Sequence, residues 1–302
     1  MKWTAVLAAT AALAGAAPAQ DRPVRVICFG AHPDDCELKA AGVAAMWAAK
    51  GHKVKFVSVT NGDAGHWRQS GPELARRRKA EVEACARVLG IETHVLDVPD
   101  GELEPSLANR KTITRLIREW GADVVMSPRP NDYHPDHRYT GVLVQDAAFM
   151  VGVPKFLPDT PALKNNPVFL FYSDGFKRPT PFRPDVVVGI DGVIEKKAAC
   201  IEKLESQFFE GGALGGPALI PADEAGRAKR REQVREAYLG RGRQVADAFR
   251  EKLAEFYGAD GAKRVGHAEA FEVCEYGRRP SPDELRRLFP FFPAANGATA
   301  PR

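Results

Sequence analysis

The chain has 302 residues, 44 % hydrophobic and 27 % charged, with a formal net charge of +4. That length and apolar content can bury a full core in one large domain, which excludes a disordered chain or a small disulfide framework. The densest basic stretch, residues 227–243, is interrupted by Glu232 and Glu236 and reads as a solvated helix face, so nucleic acid is not an expected partner.

Residues 1–19 read as an export signal. Met1-Lys2 is a short charged start, residues 7–17 are apolar and alanine-rich, and Ala17-Pro18-Ala19 has the small-x-small pattern of a cleavage site. The run is too short to span a bilayer, so no transmembrane segment is expected and the mature protein is placed in the periplasm or outside the cell. Residues 20–295 are expected to form a single domain. Its α/β core covers about 24–207, a helical and strand extension covers about 208–292, and residues 296–302 are expected to be a disordered tail. The five cysteines (Cys28, Cys36, Cys85, Cys200, Cys274) are widely spaced without a CxxC pair and read as reduced, structural residues.

Residues 24–30 form a continuous apolar strand, followed by His32-Pro33-Asp34-Asp35 and a helix over about 37–50. A second strand, 53–60, ends in Asn61-Gly62-Asp63-Ala64-Gly65. A helix over 73–89 closes at Gly90, a common C-terminal signal. Strand 92–98 leads to Asp100-Gly101, helix 107–120 stops at Gly121, and strand 123–127 leads to His134-Pro135-Asp136-His137. A proline-rich loop (153–167), strands 168–172 and 185–190, and an amphipathic helix 193–208 follow. Glycines at 211, 212, 215 and 216 mark a flexible loop that could lie over a pocket. A long charged helix (223–256) and a last strand (268–275) complete the reading. Strands alternating with helices predict an α/β, Rossmann-like fold: a mostly parallel sheet with helices on both faces.

Ligands of open α/β sheets bind beyond the carboxyl ends of the strands. His32, Asn61 with Asp63, Asp100 and His134 each follow a different predicted strand, so separate loops deliver polar residues to one sheet edge. Proline disfavours helical backbone in the residue before it, which predicts extended His32 and His134, with helix able to start at the proline. His32, Asp35 and one histidine of the second string then make a His2Asp set with an open position, the donor set of a catalytic zinc. Asp34 is placed as a base, and of His134 and His137 one can ligate while the other faces substrate oxygen. Asp136 can orient the free histidine. An acidic pair after a first strand also fits a magnesium-binding receiver domain, but the two histidines of the second string and the export signal argue against that reading.

Ala31-His32-Pro33-Asp34-Asp35-Cys36-Glu37 and His134-Pro135-Asp136-His137 resemble the motifs of the PIG-L/LmbE family of zinc-dependent N-acetylglucosaminyl deacetylases. Thr60-Asn61-Gly62-Asp63-Ala64-Gly65, Arg78-Lys79-Ala80-Glu81 and Pro99-Asp100-Gly101 support the likeness, which runs from about residue 24 to 207. The resemblance implies zinc held by His32, Asp35 and His137, with Fe2+ or Co2+ as other divalent ions for such a set. It also implies Asp34 as general base, His134 as oxyanion partner or acid, and Asp136 as its supporter. The implied substrate is an N-acyl amino sugar or glycoconjugate, with Arg78 a candidate for its hydroxyls. Asn61, Asp63, Asp100 and Trp67 are further candidates for substrate contact. Trp67 would either stack a sugar ring or pack on the body, and Arg78 would either bind substrate or pair with Glu81 or Glu83. Leu204 stands where members often carry a histidine before a Ser/Thr-Gln pair, which predicts an altered far wall of the pocket. A sugar-binding protein that keeps the fold without turnover is the alternative, and its mark would be a lost base or ligand.

Overall fold

The computed structural model describes residues 22–293. The expected export signal (1–19) and tail (296–302) lie outside the described residues. Seven strands, β1 (Arg25–Gly30), β2 (Lys53–Ser58), β3 (Glu92–Val95), β4 (Val124–Ser127), β5 (Val168–Tyr172), β6 (Val186–Gly189) and β7 (Ala268–Gly277), form one sheet in the order β3-β2-β1-β4-β5-β7-β6. The strands from β3 to β5 pair in parallel, while β7 runs antiparallel to both β5 and β6. The fold is therefore α/β and Rossmann-like, with a mostly parallel sheet.

The helices are α1 (Asp35–Ala49), α2 (Gly71–Leu89), α3 (Leu107–Trp120), α4 (Pro135–Met150), α5 (Ile194–Ile201), α6 (Glu224–Ala248), α7 (Arg250–Arg264) and α8 (Pro282–Leu288). Both faces of the sheet are covered, and the alternation along β1 shows how. Val26 and Cys28 pack with residues of α1 and α2, whereas Ile27 and Phe29 pack with residues of α3 and α4. A strand buried on both faces has no polar side, which is why residues 24–30 read as a continuous apolar run.

The topology locates the site. From β1 the chain winds to β2 and β3 on one side, then returns to lay β4 against the other side of β1, with Val26 opposite Val124 and Cys28 opposite Met126. The direction of winding reverses between β1 and β4, and a crevice opens beyond their carboxyl ends. His32 follows β1 and His134 follows β4, so strings a hundred residues apart meet there.

Two expectations give way. The amphipathic helix expected over 193–208 ends at Ile201. Leu204 leaves helical geometry (φ −90°, ψ 59°) to bury its side chain in the core, and a single π-helical turn, Glu205–Phe209, follows. The long charged helix is two helices bent at Phe249 (φ −120°, ψ 35°), whose ring packs near Phe182, and α7 is itself interrupted at Gly258 (φ 72°). The residues after 208 are also woven into the sheet, because β7 inserts between β5 and β6. No helix among the described residues is long and apolar enough to cross a membrane.

One buried ion pair fixes α1, and with it Asp35 at its first turn. Glu269 of β7 accepts from the backbone N–H groups of Gly42 (2.9 Å) and Val43 (2.8 Å), and Lys197 of α5 donates to Glu269 (2.6 Å) and to the Leu38 carbonyl (2.8 Å). Glu269→Ala would leave the buried Lys197 ammonium without its counter-charge and the Gly42 and Val43 amides without the carboxylate they bind. It is expected to cost about 3–5 kcal/mol in urea unfolding. Adding Lys197→Met should recover much of that loss.

Candidate active site

The second string takes the geometry its proline dictates. His134 is extended (φ −86°, ψ 132°), Pro135 opens α4, and the His134 Nδ1 accepts from the Asp136 backbone N–H (3.2 Å). At the first string α1 starts at Asp35, whose Oδ2 accepts from the His32 backbone N–H (2.9 Å). These two turns face each other across the β1–β4 crevice.

Three donor atoms converge there. His32 Nδ1 and His137 Nε2 are 3.2 Å apart, His137 Nε2 and Asp35 Oδ2 are 3.4 Å apart, and His32 Nδ1 and Asp35 Oδ2 are 3.7 Å apart. Three ligands on one face of a tetrahedral ion with bonds of roughly 2.0–2.1 Å stand about 3.4 Å from one another, so this triangle fits such an ion. A looser grouping brings His134 together with His32 and His137, and another joins His32, Asp100, His134 and Asp136, with ligand atoms within 4.8 Å. The tighter triangle is the better ligand set, because its three donor atoms all lie within 3.7 Å of one another.

Carboxylates hold each imidazole from behind. His32 Nε2 lies 3.1 Å from Asp100 Oδ1 and 3.2 Å from Asp136 Oδ2, which places the proton on Nε2 and leaves Nδ1 free. His137 Nδ1 lies 3.2 Å from Asp132 Oδ1, leaving its Nε2 free. The electrostatics follow. Burial works against the charged form of His32, but Asp100, Asp136 and Asp35 outweigh it and hold its pKa well above the usual histidine value. His137 is also raised: burial opposes, and the Asp35 charge and the Asp132 hydrogen bond prevail. Asp35 is held below the ordinary carboxylate range by His137 and His32, against burial. Asp34 goes the other way, raised by burial and by the charge of Asp35. His134 is lowered by burial and by the neighbouring His32 and His137, so its neutral form is favoured.

A cavity of about 680 Å³ opens onto these residues. Arg78, 2 % exposed, lines it and donates to Gln207; Glu81 instead binds the Ser206 backbone N–H and hydroxyl and pairs with Arg77. The Arg78 guanidinium passes so close to Gly62 and Gly65 that a Cβ at either would stand 2.8 Å from its Nη1, which is why the Asn61–Gly65 turn carries glycine twice.

Several expected contacts fall elsewhere. Asp136 does not orient His134 with its carboxylate: that group binds His32 and the Gly101 N–H (2.7 Å), and only its backbone serves His134. Asp100 lines the cavity but turns Oδ1 to His32. Asn61 and Asp63 stand behind the wall. Asn61 accepts from the Asp63 N–H (3.1 Å), and Asp63 accepts from the Asp100 N–H (2.9 Å), so the pair builds the loop that presents Asp100. Trp67 takes the packing alternative: its backbone N–H donates to the Gly212 carbonyl (2.9 Å) and its ring lies against Gly215, outside the cavity lining. Leu204 is wholly buried in the core and forms no part of the pocket wall, which Gln207, Phe208 and Tyr238 supply on that side. The cysteines are all free and buried, and Cys36 packs against the Cys28 carbonyl and the Tyr172 hydroxyl.

Sequence reasoning passed over Asp132, two residues before His134, although a carboxylate so near a histidine motif is a natural partner for its imidazoles. Its Oδ1 also accepts from the His134 N–H (3.0 Å), tying both histidines of the string to one group. Tyr133, Lys39 and Arg241, which also line the cavity, carried no motif signal.

The comparisons with known proteins bear on the family and the fold. The PIG-L family, described as GlcNAc-PI de-N-acetylase, matches residues 27–148, a span that contains both strings. Diacetylchitobiose deacetylase of Thermococcus kodakarensis is 32 % identical over 197 residues, covering 62 % of this chain and 71 % of that protein. The structure of N,N'-diacetylchitobiose deacetylase from Pyrococcus horikoshii, complexed with its inhibitor MPG, superposes with a TM-score of 0.62 at 26 % identity. It covers 82 % of this chain and 83 % of that one. GalB, the 4-carboxy-2-hydroxymuconate hydratase of Pseudomonas putida KT2440, shares the fold at 21 % identity (TM-score 0.63, covering 85 % of this chain and 98 % of that one). A hydratase on the same scaffold means that the fold alone does not fix the reaction.

The carboxylate behind His137 gives a direct test of the ligand set. Asp132→Asn is expected to weaken zinc or cobalt binding about 10–100-fold in chelator competition, without unfolding the protein. In the wild type the affinity should climb as pH rises through the raised pKa values of His32 and His137, since each must lose a proton to ligate, and level off above them.

Proposed function

This chain belongs to the PIG-L family, the premise from which we propose that it is a metal-dependent hydrolase removing an N-acyl group, in the simplest case acetyl, from an amino sugar or glycoconjugate. The observation that carries the reading is the triangle of His32 Nδ1, Asp35 Oδ2 and His137 Nε2 at the floor of a cavity that Asp34, His134 and Arg78 also line. Two imidazoles and one carboxylate suit zinc, and Fe2+ or Co2+ would be accepted by the same donors. Such an ion would polarise the amide carbonyl and ease the loss of a proton from water.

The protein's own groups supply the rest. Asp34 takes the proton of the attacking water and returns it to the leaving nitrogen. Its raised pKa brings the protonated form closer to working pH, as a group that must both accept and donate requires. His134 accepts at Nδ1 from the Asp136 N–H, so the neutral ring carries its proton on Nε2 and can donate a hydrogen bond to the developing oxyanion. Arg78, anchored by Gln207, offers donors to sugar hydroxyls. The products are a carboxylic acid and a free amine. A binding protein without turnover would have no need of a buried carboxylate with a raised pKa beside a ligand triangle, and both base and ligands are present. Export directed by residues 1–19 completes the proposal. Protein recovered from the periplasm or medium should then begin at Gln20 by N-terminal sequencing.

The decisive variant is Asp34→Asn. Amine release from N-acetylglucosamine or its glycosides by the ion-loaded protein should fall about 10²–10⁴-fold, while zinc stoichiometry is unchanged. Full activity in this variant would remove Asp34 from the mechanism. Absence of release in the wild type, with the ion bound, would move the substrate outside the N-acyl amino sugars.

A further inference from the structure

Arg78 stands apart from the other buried charges. It is 2 % exposed, yet it makes no ion pair among the described residues. Its one hydrogen bond there goes to the neutral side-chain oxygen of Gln207, and its Nε, also buried, has no partner. Asp34 and Asp100 lie near enough to feel its charge, but neither pairs with it. An unpaired guanidinium in such a place is costly, and a carboxylate is its natural companion. One is at hand: Glu81 lies one turn further along α2, at the i,i+3 spacing that brings helix side chains together.

Glu81 is drawn away instead. Its Oε1 accepts from the Ser206 backbone N–H (2.9 Å), its Oε2 from the Ser206 hydroxyl (2.6 Å), and Arg77 Nε stands 3.3 Å from Oε1. Burial raises the Glu81 pKa, opposed by the two Ser206 bonds and then by the charges of Arg77 and Arg78. Ser206 is wholly buried on the π-helical turn Glu205–Phe209, which also presents Gln207 to Arg78. Such turns are rare and recur at functional sites. Two consecutive residues thus act on two neighbouring side chains of α2: Ser206 takes the carboxylate, and Gln207 steadies the cation. Gln207 is itself confined by Gly212, where a Cβ would stand 2.5 Å from its Oε1.

We propose that Ser206 is a positioning residue for substrate: by sequestering Glu81 it keeps Arg78 free for the hydroxyls of the amino sugar. The inference rests on the deacylase reading and adds to it Ser206 and Glu81, which lie outside the cavity lining. A guanidinium pairs more strongly with a carboxylate than with a neutral hydroxyl, so a released Glu81 would compete with substrate for Arg78. Removing the Ser206 hydroxyl leaves Glu81 Oε2 buried without its donor, beside a guanidinium nitrogen that lacks an acceptor. Each then satisfies the other.

The test is Ser206→Ala, which keeps the backbone N–H. With N-acetylglucosamine glycosides its KM is expected to rise about tenfold while kcat is nearly unchanged. Adding Glu81→Gln, which removes the charge but keeps the shape, should bring KM back to that of Glu81→Gln alone. An unchanged KM in Ser206→Ala would overturn the proposal. So would a rise that Glu81→Gln fails to reverse, since simple loosening of the turn would give that result. A crystal structure of Ser206→Ala reads the same exchange without substrate. A Glu81 carboxylate within hydrogen-bond reach of Arg78 supports the proposal, and an Arg78 that stays unpaired refutes it. Absence of amine release from the wild type would sink the deacylase reading, while the structure of the variant would still decide whether Ser206 holds Glu81 off Arg78.

Discussion

The arrangement on which the site depends is the imidazole of His32 held between carboxylates on both sides. Asp100 and Asp136 take its Nε2, and Asp35 faces its Nδ1 and accepts from the His32 backbone N–H. Each carboxylate comes from a different segment: the loop after β3, the first turn of α4 and the first turn of α1. Burying these charges is favourable only because each finds an opposite charge or a hydrogen-bond donor, and the failure of any one strands the others. The Asn61–Gly65 turn, the Gly101 N–H and the Asp132 carboxylate therefore all serve the orientation of two imidazoles, although none of them is a candidate ligand.

The same dependence reaches into the scaffold. Asp35 can stand in the triangle only if α1 begins at the right height above the sheet, and the Lys197–Glu269 pair grips α1 at Leu38, Gly42 and Val43. Glu269 belongs to β7, the one strand that runs against the others. The late part of the chain thus locks the helix that carries the first metal-type motif. The turn at 210–215 is likewise bound to the cavity's edge, with Glu210 holding His66 and Arg77, and Gly212 holding Trp67.

What could be read from the sequence divides along the distance over which each interaction acts. The strand-end positions of His32 and His134 were legible because apolar runs, turn residues and proline act locally, and the β1–β4 crevice followed from the general behaviour of open parallel sheets. The convergence of His32, Asp35 and His137 was legible for the same reason, as two short motifs at two strand ends. Partners set by packing between distant segments were not. Asp136 sits beside His134 in sequence, yet its carboxylate crosses to His32. Asn61 and Asp63 looked like pocket residues because they follow β2, but their hydrogen bonds run along the loop. Leu204 was read as part of a wall from its spacing before Ser206-Gln207. The break in helical geometry that turns it into the core instead depends on the hydrophobic cluster it enters, which no local pattern announces.

The cavity's polar floor and aromatic rim obey different constraints, and that difference bears on how specificity can vary on this fold. The floor is over-determined: shifting one carboxylate disturbs two imidazoles and the loop behind them, so its residues cannot change singly. The rim is not. Tyr133 is fixed through its backbone by Arg138 while its side chain is exposed, and Arg129 and Asp174 tie the backbone of the half-buried Phe176. A residue whose main chain is held and whose side chain is free can be exchanged without disturbing the chemistry two ångström-scale contacts away. A scaffold built in this way keeps one reacting centre and varies what it accepts beside it, which is how a shared fold can serve substrates of different shape.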